Sequence, residues 1–220
     1  MTSEDPAIDQ HAHRKQKDAM TALVAPLTAG QRPDLQPLIR MITAVNGYVP
    51  NSVLTMARVQ GLPEAFVGLT RVILGPGTID SELKSLVALM TSTVAGCRYC
   101  QAHTAHSAIG QGATENKTAA IWEFETSPLF DDSERAALRL ARDAGQNPNA
   151  VNEQDRIELR THFNDEQITE LVAVAALFGF LNRWNDTMST PLEPQPASTA
   201  KHVLTAGGWS AGKHQGADEP

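Results

Sequence analysis

The chain has 220 residues, 41% of them hydrophobic, and sets 18 Lys+Arg against 25 Asp+Glu for a formal net charge of -7. That length and apolar content suit one compact domain with tails and exclude collagen-like, coiled-coil and wholly disordered chains. The acidic balance has the wrong sign for phosphate backbones or anionic lipid surfaces, so neither a nucleic-acid partner nor a membrane partner is expected.

Aromatic residues make up only 5% of the chain, strand-type alternation is rare, and apolar positions recur at three and four. The expected fold is therefore all-α, with eight or nine helices between Gly/Pro punctuation marks. Residues 1–20 form a polar N-terminal tail without a hydrophobic segment, which predicts no secretory signal and a reducing, cytoplasmic location. A helical domain is expected over residues 21–190. Its first helix runs from Asp34 to Asn46, Asn51 and Ser52 cap a short helix ending at Gly61, and Leu62 to Leu74 follows. Asp80 and Ser81 cap the next helix, whose Leu83, Leu86, Val87, Met90 and Val94 fall on one apolar stripe ending near Gly96. Beyond Cys100 another helix reaches about Ile109, Thr114 opens one through Trp122, and Asp131 to Ser133 cap Glu134 to Ala144. The last long helix, Asp165 to Met188, is apolar on most sides from Leu171 to Leu181. That stretch is too short to cross a bilayer and is expected at the centre of the fold or in a subunit interface. Residues 191–220, rich in Pro, Gly, Ser and Ala, read as an extended C-terminal tail, with Trp209 docking on a neighbouring subunit. Ser85 to Leu89 faintly echoes Glu170 to Val174, as a duplicated hairpin would.

Cys97 and Cys100 are the only cysteines. A disulfide enclosing two residues constrains little of the unfolded chain, so the pair calls for a chemical role. Gly96 ends one helix and Cys97 begins the next, which puts both thiols in a first turn where free N–H groups and the helix dipole favour thiolate. Three residues apart, they share a helix face and can close a disulfide. At about 100° per residue, Thr104 falls on the same face and His103 flanks it, while His106 points away. His103 is the expected proton carrier, because imidazole titrates near neutrality; as an alternative it is an ordinary helix-surface histidine. Zinc held by Cys97, Cys100, His103 and His106 is disfavoured, since four positions on one continuous helix cannot converge on one ion. Arg98, Tyr99 and Gln101 argue against an inert pair buried in deep core. No cofactor or metal is expected.

The segments Gly47 to Ser52, Leu83 to Leu89, Gly96-Cys97-Arg98-Tyr99-Cys100-Gln101-Ala102-His103 and Phe180 to Arg183 resemble the alkyl hydroperoxidase D and carboxymuconolactone decarboxylase superfamily, in particular its peroxidase-related branch. The resemblance spans roughly residues 36–193. It implies an all-helical oligomer (dimer, trimer or hexamer) in which Cys100 attacks a hydroperoxide, Cys97 resolves the sulfenic acid as a disulfide, and a dithiol or thioredoxin-like donor restores the thiols. The family's relay glutamate and histidine fall here on Ser85 and Thr104. Neither hydroxyl can act as a general base near neutrality, so weak or specialised peroxidase activity is expected. Glu82, one turn before Ser85, and His103, beside Thr104, are the candidate substitutes. Decarboxylase or lactone chemistry that does not use the cysteines, and a non-catalytic redox-sensing oligomer, are the alternatives.

Overall fold

A computed structural model describes residues 22–216; the tail expected over residues 1–20 lies outside the described residues. Every regular element among the described residues is helical: ten α-helices and five short 3-10 turns. In chain order they are α1 (Gln36–Asn46), α2 (Asn51–Met56), α3 (Leu62–Leu74), α4 (Ser81–Val94), α5 (Arg98–Gly110), α6 (Glu115–Ala119), α7 (Asp132–Ala144), α8 (Glu153–His162), α9 (Asp165–Met188) and α10 (Pro194–Val203). No helix among these is long and apolar enough to cross a membrane.

The centre of the fold is α4, which packs against α5, α7 and α9. Its burial is not the one-sided stripe expected from periodicity: every residue from Leu83 to Ser92 is buried. The polar members of that run are satisfied locally. Thr91 and Ser92 donate to the carbonyls of Val87 and Ala88 four residues back, and the buried Lys84 ammonium pairs with Glu170 at 2.9 Å and donates to the Gly75 carbonyl. With its side chains tied off in this way, a helix of mixed composition takes the central position. The more apolar α9 lies beside it, with Leu171, Val174, Leu177 and Phe178 inward and Val172 and Phe180 left 46% and 44% exposed.

Two helices depart from the sequence expectation. The first, α8, carries only Ile157 and Leu159 as large apolar residues, and Leu159 alone is buried; so sparse a pattern gives periodicity little to detect. The second, α10, lies in the segment whose composition reads as an extended tail. Pro194 stands at its first position, where a proline needs no N–H donor and its fixed φ suits the helix. The small face of Pro196, Ala197 and Ala200 then packs on α5. Trp209 docks on its own chain rather than on a neighbour: it is 8% exposed, and its indole N–H donates to the Arg98 carbonyl at 3.2 Å.

Candidate active site around the cysteine pair

The α4–α5 corner turns on Gly96, whose φ of +74° is open to glycine and strained for other residues. Cys97 follows as the N-cap of α5, its sulfur accepting the Cys100 backbone N–H at 3.4 Å. The two thiols interact with each other, and the Asn185 amide of α9 donates to the Cys100 sulfur at 3.4 Å. The pair is asymmetric. Its hydrogen bond from Cys100 holds Cys97 below the usual thiol range against the cost of burial, whereas burial pushes Cys100 well above it. Both sulfurs, the candidates for activation, lie in the same helix turn but in different surroundings. An N-cap side chain receives the turn's free N–H, while the side chain three residues on points into the core.

Cys97 and Cys100 are 0% and 2% exposed. The surrounding turn is not the polar, accessible one its composition suggests: Tyr99 and Gln101 are buried with it. Their polar atoms are spent internally, the Tyr99 hydroxyl on Glu193 at 2.9 Å and the Gln101 amide on the Ser92 carbonyl.

His103 lies one turn past Cys100 and is tied to Glu193, Nε2 to Oε2 at 2.6 Å. Its ring stacks on Tyr99 at 4.2 Å, and its Nδ1 meets the Tyr48 hydroxyl at 3.2 Å. Burial opposes the charge on Glu193, but the adjacent His103 and the Asn51 N–H outweigh it and hold the carboxyl below its ordinary value. The result is a water-poor imidazole–carboxylate couple bracketed by two tyrosines. His106, as expected, takes no part and bonds Thr199 at 2.8 Å.

A second group borders Cys97 from the other side. Asp186 on α9 and His214, beyond α10, each bring a donor atom such that these and the Cys97 sulfur lie within 4.8 Å of one another. His214 is fully buried, and its Nδ1 donates to the Thr190 carbonyl at 2.8 Å.

Residues 60–143 match the family model described as the carboxymuconolactone decarboxylase family. Over 84% of its length the chain also superposes on all of the debrominase Bmp8, solved as a cysteine-to-alanine variant in complex with 2,3,4-tribromopyrrole, at 35% identity and a TM-score of 0.78. The chain belongs to the alkyl hydroperoxidase D and carboxymuconolactone decarboxylase superfamily. A peroxidase-related protein from Silicibacter shares the superfamily fold at 21% identity and a TM-score of 0.71, over 80% of this chain and 93% of that one. The Escherichia coli protein YnjA is 30% identical over 115 residues, which is 52% of this chain and 63% of YnjA, so the match spans less than two thirds of that relative.

Within this superfamily member the relay positions are occupied but disconnected from the sulfurs. The Ser85 hydroxyl bonds Ser107 at 3.2 Å, and the Thr104 hydroxyl donates to the Cys100 carbonyl at 2.7 Å, as a buried threonine in a helix commonly does. Glu82 is a first-turn acid of α4 paired with Lys117 at 2.8 Å, away from the cysteine pair. Glu193, Tyr48, Asn185, Asp186 and His214 are site residues that sequence reasoning does not find. One signal was present: Asn182, Asn185 and Asp186 interrupt an otherwise apolar helix, and polar residues there must face something polar. Glu193 and His214 reach the site only because α10 folds back on α5, which nothing in their local sequence announces.

Proposed function

We propose that this chain is a dithiol oxidoreductase that reduces a small hydroperoxide by two electrons, its cysteine pair closing to a disulfide. The observation that carries this reading is the pair of thiols at one helix N-terminus, with the N-cap sulfur of Cys97 accepting the Cys100 backbone N–H. A thiolate attacks the terminal peroxide oxygen, the O–O bond breaks, and the leaving alkoxide takes up a proton. The second thiol then attacks the sulfenic sulfur and expels water, leaving the disulfide. An external dithiol or thioredoxin-like donor returns the two electrons, and the working form is a homo-oligomer.

The resemblance assigns the attack to Cys100. The N-cap position of Cys97, whose sulfur accepts the Cys100 backbone N–H, favours Cys97 for the attack and Cys100 for resolution, because the attacking group must be the better stabilised thiolate. His103, supported by Glu193, is the proton carrier in place of the missing relay, one helix turn from the sulfurs. With both sulfurs sealed, the acceptor must be small and enters as the segment around Trp209 and His214 gives way.

Dimedone trapping after one equivalent of cumene hydroperoxide tests the assignment: Cys100→Ser should accumulate a trapped sulfenic acid at residue 97, and Cys97→Ser should react slowly. The opposite pattern restores the family order, and undiminished turnover in the double variant rejects thiol chemistry.

The similarity to Bmp8, which covers that whole chain, favours a second acceptor for the same electrons. In reductive dehalogenation two thiols become a disulfide, a carbon–bromine bond becomes carbon–hydrogen, and bromide and a proton leave. Bromide release from 2,3,4-tribromopyrrole with loss of two thiols per ion, without comparable consumption of hydroperoxide, would assign the chain to that chemistry.

A further inference from the structure

We propose that Cys97, Asp186 and His214 form a binding site for a borderline divalent cation of the zinc(II) type, which occupies the reduced cysteine pair. The objection to a zinc site built along one helix does not touch this set: its donors come from three separate elements, the N-cap of α5, the last turn of α9, and the segment after α10. Tetrahedral zinc draws its ligands from separated elements in this way, and thiolate, imidazole and carboxylate are all ordinary zinc ligands.

His214 supplies the decisive geometry. The Thr190 carbonyl can only accept, so the hydrogen bond at 2.8 Å puts the ring proton on Nδ1 and leaves a lone pair on Nε2. That Nε2 is fully buried and makes no hydrogen bond. An imidazole whose outer nitrogen is fixed by a backbone carbonyl, with its inner nitrogen bare, has the tautomer and support of a metal-ligating histidine. The Nε2 atom stands 3.7 Å from Asp186 Oδ1, near the roughly 3.3–3.7 Å edge that bonds of about 2.0–2.3 Å impose on a zinc tetrahedron. Lys213 engages the other carboxylate oxygen, Oδ2, at 2.8 Å and leaves Oδ1 free to face the ring. The Cys100 thiol, whose own backbone N–H donates to the Cys97 sulfur, is a further sulfur one turn along the same helix. Asp186 is 45% exposed, so one side of this donor set borders solvent.

Binding does not depend on the dithiol reading; only its consequence, that the ion withholds Cys97 from substrate, rests on it. Zinc competition against a chromophoric chelator, with the full reduced chain, should show one ion per chain. Cobalt(II) should give a near-ultraviolet sulfur-to-metal charge-transfer band and the intense visible bands of a tetrahedral site. His214→Ala should weaken zinc binding at least tenfold. The half-exposed Asp186→Asn, which leaves the core untouched, should weaken it as well. Diamide, which takes two electrons and two protons from the thiols as it becomes the hydrazine, should release the ion. Failure of the reduced chain to take up zinc at micromolar concentration, or equal affinity in either variant, overturns the proposal. Stoichiometric binding in a chain that turns over neither peroxide nor bromopyrrole would instead reject the dithiol reading and leave the metal site standing.

Discussion

His103 and Glu193 meet across 90 residues of chain, Nε2 2.6 Å from Oε2, with the carboxylate also accepting from Tyr99 and from the Asn51 N–H. A largely buried imidazole–carboxylate hydrogen bond holds its geometry better than an exposed one. Glu193→Gln retains an acceptor for Tyr99 but removes the charge. It should lower peroxide turnover by roughly 10²-fold, the usual worth of a positioned acid–base group, while the urea midpoint moves little. His103→Gln should show a similar loss, and steady-state kinetics beside urea titration separate the two effects.

The Lys84–Glu170 pair makes stability depend on acid. Burial raises the Glu170 carboxyl, but Lys84 and the Thr78 and Ile79 donors overcome that and hold it at about 2 against an ordinary 4.5. A carboxyl lowered by folding stabilises the protein fully above its unfolded value and loses that contribution as pH falls from there towards 2. Unfolding free energy from urea titrations should therefore decline between about pH 5 and pH 2, and less steeply in Glu170→Gln. At neutral pH, Glu170→Ala strands the buried Lys84 ammonium and should cost about 3–5 kcal/mol.

Native thiol alkylation should be slow, since both sulfurs are almost unexposed. Trp209→Ala removes the indole that fastens the C-terminal segment to the Arg98 carbonyl. Iodoacetamide labelling of Cys97, followed by mass spectrometry, should then accelerate at least tenfold at a denaturant concentration where the fold persists, because local opening replaces global unfolding as the route to the sulfur. Equal rates would mean that substrate enters elsewhere.

Leu69 and Val72 of α3 and Val172 and Phe180 of α9 are exposed apolar groups, between 44% and 78% accessible. If this surface joins copies of the chain, sedimentation velocity at micromolar concentration should show an oligomer, and Phe180→Glu should shift it towards monomer without changing the helical circular dichroism.

The all-helical class and the Cys97–Cys100 turn were legible because they depend on near neighbours: a repeat of three and four, a capping aspartate, a glycine at positive φ, two thiols one turn apart. So was the superfamily resemblance, carried by contiguous segments. What stands around each sulfur was decided only by tertiary structure. Cys100 is raised because α9 and the core close over it, and Glu193, Asp186 and His214 reach the site through packing of α10 and α9 against α5. Even the C-terminal segment, whose proline and glycine content reads as extended chain, becomes a helix once Pro194 serves as a start and the small face behind it has a surface to bury. Local sequence sets which elements form; burial and charge at the site arise from contacts between residues 55 to 142 positions apart, and no local window along the chain contains them.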